Sequence, residues 1–202
     1  MNDIDPSYYK GMELMSQGRY DEAEPHLLQA LKRDPNNAEL LGDLGLVYVN
    51  LSRWTEAEEI FNRATEKAPD DQQAWIKLGR ILNRQGRLSE AEIAYRRAID
   101  VAPDNSFTWQ DLGYCLYEQN RYSEAEKAYL ESQRLYPEEI NTYFYLAQVY
   151  FRQGRYEDAE REIRRVVDEA PDFKDGWFLL SDILEKLGRL DESQEAKSKG
   201  HL

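Results

Sequence analysis

The 202-residue sequence has little of what most catalytic and metal sites require. It contains one cysteine and two histidines, His26 and His201, which lie far apart along the chain. A single cysteine cannot form an intrachain disulfide framework, and this pattern favours neither a catalytic dyad nor a metal site. The sequence also lacks a glycine-rich phosphate loop and a G-x-S-x-G motif. We therefore predict that the protein is not an enzyme and that it uses no cofactor or metal.

Positive charge and long apolar runs are also scarce. The chain has 26 lysines and arginines against 39 acidic residues, a formal net charge of −13. This balance disfavours nucleic acid and an anionic membrane surface as partners. No run approaches the roughly 18 apolar residues of a membrane span, and the first residues do not resemble a signal peptide. We predict no nucleic-acid partner, no membrane insertion and a cytoplasmic location, the default for a chain with so little cysteine.

What the sequence does contain is a motif that recurs every 34 residues. One arginine and one proline mark the register without any insertion or deletion. The positions are Arg19, Arg53, Arg87, Arg121, Arg155 and Arg189, and Pro35, Pro69, Pro103, Pro137 and Pro171. Self-similarity at a fixed period of this size indicates stacked supersecondary units, so the repeat decides the fold.

Each repeat has the pattern of two helices. In the third repeat Trp75, Leu78 and Leu82 have helical spacing, and Ala91 and Tyr95 continue that spacing in a second segment. We call these segments the first and the second helix of a repeat. Because a short turn connects them, each repeat is predicted to be a helical hairpin.

The ends of the helices are also marked in the sequence. Gly86 is placed to close the first helix in the left-handed conformation, and Pro103 ends the second one. Ser89 with Glu92 has the form of a capping box that would open the second helix. Related pairs recur as Asp21/Glu24, Thr55/Glu58, Ser123/Glu126 and Asp191/Gln194.

The pattern Trp75-x2-Leu78-Gly79-x2-Leu82, then Ala91-x3-Tyr95, then Pro103 resembles the tetratricopeptide (TPR) repeats. The next repeat matches it through Trp109, Leu112, Gly113, Leu116, Ala125, Tyr129 and Pro137. The resemblance implies an all-α fold, a TPR-type α-solenoid of stacked antiparallel helix pairs that form a right-handed superhelix. We expect a single solenoid over residues 1–202. Its six repeats are 4–37, 38–71, 72–105, 106–139, 140–173 and 174–202, the last one truncated and ending in a polar cap.

The resemblance also implies where such a protein binds. In proteins that this sequence resembles, the first helices line the inner wall of the superhelix, and that wall takes peptide segments. In the third repeat, helical spacing places Lys77, Arg80 and Arg84 on this face. They could bind an acidic side chain or terminal carboxylate of a partner. Alternatively, Lys77 lies between Asp43 and Asp111, which hold the same position in the adjacent repeats. The three basic residues would then be an ordinary solvated face.

Aromatic residues identify a second part of the same wall. All four tryptophans and eight tyrosines fall in columns that repeat packing would bury. Seven aromatic residues on the first helices of repeats 4 to 6 are left over: Phe107, Tyr114, Tyr117, Phe144, Tyr145, Phe151 and Phe178. Exposed aromatic patches commonly mark binding surfaces. The alternative is packing between helices, which is as well supported as binding for Tyr117 and Phe151.

With the basic residues and the polar Gln110 and Gln148, these aromatics form a predicted groove in repeats 3 to 6. The expected function is a non-catalytic adaptor or scaffold that binds a peptide segment with acidic and apolar residues. The two-lysine, two-asparagine, one-arginine clamp of many co-chaperone TPR domains is absent in every register, so a heat-shock carboxylate terminus is not the expected partner. Because the first repeat is the least regular, the alternative is a self-associating scaffold that assembles through the N-terminal repeat.

Overall fold

A computed structural model of the protein describes residues 5–201, and in that range the chain forms twelve α-helices and no strand. The helices are α1 (Pro6–Ser16), α2 (Tyr20–Arg33), α3 (Ala38–Asn50), α4 (Trp54–Lys67), α5 (Gln72–Arg84), α6 (Leu88–Val101), α7 (Ser106–Glu118), α8 (Tyr122–Leu135), α9 (Ile140–Arg152), α10 (Tyr156–Glu169), α11 (Lys174–Lys186) and α12 (Leu190–Gly200). Each repeat contributes two of them, as predicted. None of the helices in residues 5–201 is long and apolar enough to cross a membrane.

The helices belong to two compact units that divide after Pro103. The first unit contains α1 to α6, and the second contains α7 to α12. Within each unit every helix packs against the next one along the chain, and α9 also touches α7 and α11. The predicted all-α fold of stacked helix pairs is therefore confirmed. A single solenoid over the whole chain stays a prediction.

The turn inside each hairpin contains a left-handed residue at the same position. Gly86 has a φ of 75°, as predicted. The equivalent residues of repeats 2 and 4 are not glycine: Ser52 has a φ of 58° and Asn120 a φ of 60°. Asparagine and serine adopt this conformation at a cost that glycine avoids. The shared backbone geometry reverses the chain at the same point of each repeat.

The predicted capping boxes are wrong. Helix α6 begins at Leu88, and its N-cap residue is Arg87, whose side chain makes no capping bond. Ser89 therefore lies inside the first turn. Side-chain capping occurs on first helices instead, where Asp71 Oδ1 accepts a hydrogen bond from the backbone N–H of Gln73 at 2.9 Å.

The glutamates of those boxes connect successive repeats. Arg53 Nη1 lies 2.6 Å from Glu24 Oε2 of the preceding repeat, and its Nε lies 2.8 Å from Glu56 Oε1 of its own repeat. Arg155 likewise pairs with Glu126 at 2.9 Å. The same bridge between repeats joins Arg87 to Glu58 and Arg189 to Glu160. Each pair is partly exposed and contributes little alone, but each one joins the same two positions of neighbouring repeats.

The tryptophans that the sequence assigns to the core are half-buried. The indole N–H groups of two of them form hydrogen bonds with carbonyl groups of loops. Trp75 Nε1 donates a hydrogen bond to the Pro69 carbonyl at 2.9 Å. Trp177 Nε1 makes the same bond to the Pro171 carbonyl at 2.8 Å. The aromatic ring and the proline one loop upstream therefore act together, which explains why both recur in the same register.

In the hairpins of repeats 2 to 4, a glycine on the first helix lies directly against an aromatic ring on the second. A Cβ atom added to Gly79 on α5 would lie 2.7 Å from a ring carbon of Tyr95 on α6. Tyr95 is 1% exposed, so its ring has little room to move. Gly45 faces Phe61 and Gly113 faces Tyr129 in the same way. A large ring on the second helix fills the space that the glycine leaves open.

Gly79→Ala should lower the free energy of unfolding by about 1–3 kcal/mol, because the added methyl group overlaps the buried Tyr95 ring. Gly42→Ala is the matched control, since a Cβ at Gly42 in α3 meets no atom within 4 Å. The control should stabilise the protein by about 0.5–1 kcal/mol through helix propensity. Urea denaturation followed by circular dichroism measures both changes. Equal effects of the two substitutions would contradict the close-contact explanation.

Candidate functional site

The twelve predicted site residues lie on first helices of both compact units. Lys77, Arg80 and Arg84 lie on α5 in the first unit. The other nine lie in the second unit: Phe107, Gln110, Tyr114 and Tyr117 on α7, Phe144, Tyr145, Gln148 and Phe151 on α9, and Phe178 on α11. In the described part of the chain, no group of three or more histidine, cysteine, aspartate or glutamate side chains is placed to hold a metal ion.

The basic residues on α5 form a stripe that is only partly open to solvent. Lys77 is half-buried, whereas Arg80 and Arg84 are exposed. The guanidinium carbon of Arg84 lies 4.2 Å from the centre of the Trp54 ring, which is a cation–π contact. Ile76, next to Lys77 on the same helix, is 4% exposed and belongs to the core. The basic stripe of α5 therefore lies directly beside buried side chains.

Two aromatic side chains on α7 are exposed. Phe107 is 49% exposed and Tyr114 is 41% exposed. The ring of Phe107 meets Tyr136 edge to face, with 6.1 Å between the ring centres. Tyr136 is the C-cap residue of α8 and is itself exposed.

Sequence reasoning missed Tyr136. The equivalent residues of the other repeats are small or acidic: Asp34, Ala68, Ala102 and Ala170. A tyrosine in a column of such residues departs from the repeat pattern without any packing reason. That departure is the signal that could have identified it.

Further rings connect α7 to α9 within the second unit. Tyr114 and Tyr145 lie 6.5 Å apart at an interplanar angle of 63°. Tyr145 in turn stacks on the buried Tyr129, with 5.4 Å between centres and an angle of 14°. The ring centre of Phe144 lies 5.8 Å from that of Tyr145 and 4.9 Å from that of Phe173. We call Phe107, Tyr114, Tyr136, Phe144 and Tyr145 together the aromatic face.

Carboxylates influence the phenols of this face. Burial raises the pKa of Tyr145, and the negative charges of Asp111 and Glu139 raise it further. Burial also raises the pKa of Tyr114, with an added contribution from Glu118. Both hydroxyl groups therefore stay protonated at neutral pH and can donate hydrogen bonds.

Tyr117 and Phe151 make packing contacts within their own hairpins. Tyr117 meets Tyr122 edge to face at 5.5 Å, and Phe151 meets Tyr156 in the same geometry at 5.6 Å. Both side chains are half-buried. Arg152 Nε also donates a hydrogen bond to the Tyr117 hydroxyl at 2.9 Å. These contacts agree with the packing alternative that the sequence left open for this pair.

The remaining predicted residues are partly engaged in the fold. Gln110 Nε2 donates a hydrogen bond to Thr142 Oγ1 at 3.1 Å and so links α7 to α9. Gln148 is half-buried. The Phe178 ring lies edge to face against His201 at 5.2 Å, beside the end of α12. All three side chains are half-buried, so they are not among the exposed side chains of the predicted groove.

Comparisons with solved structures show similar helix arrangements. The chain is similar to a tetratricopeptide repeat protein from Parabacteroides merdae ATCC 43184, with 17% identity over 96% of this chain and 79% of that chain and a TM-score of 0.84. It is similar to YrrB, a TPR protein with an unusual peptide-binding site, with 20% identity over 86% and 90% of the two chains and a TM-score of 0.77. MamA is 16% identical over 81% and 89%, with a TM-score of 0.76. At these identities the similarity shows the fold alone.

Comparison with curated proteins finds no match. Family models give a direct result: three models described as tetratricopeptide repeat match residues 14–81, 70–138 and 145–196. Together they cover most of the chain. The chain belongs to the tetratricopeptide repeat family.

Proposed function

We propose that the protein is a non-catalytic adaptor or scaffold that binds a peptide segment of a partner protein on the aromatic face. The observation that carries the proposal is the exposure of Phe107 and Tyr114 at 49% and 41%. Folding leaves these large rings in water. At the position of Phe107 the other repeats hold polar residues, among them Gln73 and Asn141. Aromatic side chains supply much of the binding energy of protein interfaces.

The packing beneath the face supports this role. Tyr145 stacks on Tyr129, which is 1% exposed, and it is bordered by Tyr114 and Phe144. A ring held in this way loses little conformational freedom when a ligand binds. An ordered ring suits an apolar side chain of the partner, because contact between the two removes apolar surface of both molecules from water.

The family and its relatives support a protein as the partner class. YrrB, which shares the fold, is a TPR protein with a peptide-binding site. We propose the same class of ligand for this chain. A non-catalytic role is also proposed from the family, and a cytoplasmic location stays a prediction.

The basic stripe on α5 is proposed as a second contact surface. Lys77, Arg80 and Arg84 could bind an acidic side chain or a terminal carboxylate of the partner, because guanidinium groups form paired hydrogen bonds with carboxylates. The contact of Arg84 with Trp54 orients its guanidinium group. The groove predicted over repeats 3 to 6, with one partner on both surfaces, stays a prediction.

Self-association through the first repeat is the alternative function. In α1, Tyr9 is 59% exposed, but Tyr8 is held by the fold, since its hydroxyl donates a hydrogen bond to Asp43 Oδ2 at 2.8 Å. The first repeat therefore offers one exposed ring where the second unit offers several rings in contact. This difference favours peptide binding over self-association.

The stability of ring variants should separate exposed rings from packed ones. Phe107→Ala and Tyr114→Ala should each change the free energy of unfolding by less than about 1 kcal/mol. Tyr145→Ala should lower it by roughly 2 kcal/mol, because it removes a half-buried ring stacked on Tyr129. Urea denaturation measures all three changes. Equal losses at the three positions would show that the face is part of the core.

Peptide binding itself can be tested with a displayed library of random peptides of about twelve residues, selected on the wild-type protein. The strongest peptides are then labelled and measured by fluorescence anisotropy. A Phe107→Ala/Tyr114→Ala variant should bind them at least about tenfold more weakly. Ile93→Ala/Leu130→Ala is the matched control, since it removes exposed apolar side chains from second helices. If both variants bind like the wild type, the aromatic face is not the binding surface.

Light scattering over a wide range of concentrations tests the alternative. We expect the mass of a single chain throughout, because α1 exposes no extended apolar surface for a second copy. A mass that rises with concentration and falls back on Tyr9→Ala substitution would support assembly through the first repeat. Tyr136→Ala serves as the control, as it removes an exposed ring from the second unit.

A further inference from the structure

The chemistry of the ligand can be specified further by comparing α7 with α5. Asp111, Tyr114 and Glu118 on α7 occupy the positions that Lys77, Arg80 and Arg84 occupy one repeat earlier. In both helices the spacing of i, i+3 and i+7 places the three side chains on one stripe. The same stripe is therefore entirely cationic on α5 but acidic and aromatic on α7.

The carboxylates lie close enough to the rings to influence them. The charge of Glu118 contributes to the raised pKa of the Tyr114 phenol. Asp111 and Glu139 do the same for Tyr145. Glu118 is exposed at the last position of α7, so its carboxylate is accessible to a ligand that lies on Tyr114.

A cationic side chain near this stripe, that of Arg152, is bound to a neighbouring tyrosine. Arg152 on α9 donates its Nε hydrogen bond to the Tyr117 hydroxyl at 2.9 Å. It also lies over the Tyr117 ring, with 5.9 Å between the guanidinium carbon and the ring centre. The charge of Glu118 contributes to the raised pKa of Arg152, so the carboxylate of Glu118 faces both this guanidinium group and the phenol of Tyr114.

We infer that the aromatic face binds a lysine or arginine side chain of an otherwise apolar partner segment. The aliphatic stem would lie on the rings of Tyr114 and Tyr145, and the cationic group would lie beside Glu118. A cation beside an aromatic face gains a cation–π attraction, and the carboxylate adds a charge-assisted hydrogen bond. The apolar neighbours of that residue would pack on Phe107 and Tyr136.

This inference rests on the proposed function and specifies its ligand. It assigns a positively charged segment to the second unit, whereas acidic groups are assigned to the α5 stripe of the first unit. The net charge of −13 favours the same choice, because a cationic segment is attracted to the protein at long range.

The test begins with the peptides selected from the random library on the wild-type protein. Those that lose affinity for the Phe107→Ala/Tyr114→Ala variant are retained as ligands of the face. We expect lysine and arginine to be enriched in them and aspartate and glutamate to be depleted. Replacing the conserved cation of the strongest peptide by norleucine should weaken its binding about tenfold, and raising the salt concentration should weaken the parent peptide more than the norleucine one.

Glu118→Lys tests the protein side of the contact. It should weaken binding of the cationic peptide about tenfold or more. Glu59→Lys is the matched control, because Glu59 is an exposed glutamate on α4 and its replacement changes the net charge equally; binding should stay within about twofold. The unfolding midpoint of Glu118→Lys should equal that of the wild type, since a lysine suits the C-terminal end of a helix.

Three results would overturn the inference. If the ligands of the face are acidic or uncharged, the chemistry is wrong but the peptide-binding function stands. If Glu118→Lys and Glu59→Lys weaken binding equally, the preference reflects net charge and not this contact. If no selected peptide depends on Phe107 and Tyr114, the proposed function fails together with the inference.

Discussion

The close contact between a glycine on the first helix and a large side chain on the second is the constraint on which the hairpins of repeats 1 to 4 depend. Gly79 and Tyr95 show it most clearly, because a methyl group at the glycine would overlap the buried ring. The contact sets the distance between the two helices and commits one side of each first helix to the interior. In repeat 5 the equivalent positions hold Ala147 and Ile163, both buried. Where alanine replaces the glycine, the smaller isoleucine replaces the aromatic ring, so the space between the two helices stays filled, as close packing requires.

The commitment of one side to packing leaves the other side of each first helix free to vary. That side carries cationic residues on α5, acidic and aromatic residues on α7, and mainly aromatic residues on α9. The bridges between arginine and glutamate, by contrast, recur unchanged, as in Arg53–Glu24 and Arg155–Glu126. Constant positions hold neighbouring repeats together, and variable positions give each first helix a different surface. A recognition surface can therefore change without altering the stack.

Helical spacing was enough to select the candidate aromatics, but it could not decide how much of each ring stays exposed. Phe107, Tyr114, Tyr117 and Phe151 all lie off the core stripe, and the sequence left packing open as an equal alternative for Tyr117 and Phe151. The structure separates them because Tyr117 and Phe151 meet the first tyrosine of the following helix, whereas Phe107 and Tyr114 have no such cover. Tyr136 completes a pair with Phe107 from a different helix. Contacts of this kind depend on side-chain direction and on residues distant in sequence.

The sequence by itself determined the family and the twelve helices of residues 5–201, because a strict period repeats the same local choices. The capping boxes predicted from the sequence were wrong. Their glutamates have the same spacing whether the carboxylate bonds to a helix end or to an arginine in the next repeat. Only the tertiary structure decided that Glu58 pairs with Arg87, that Ile76 is buried and that Tyr145 stacks on Tyr129. These outcomes depend on how neighbouring helices pack, which local spacing does not contain.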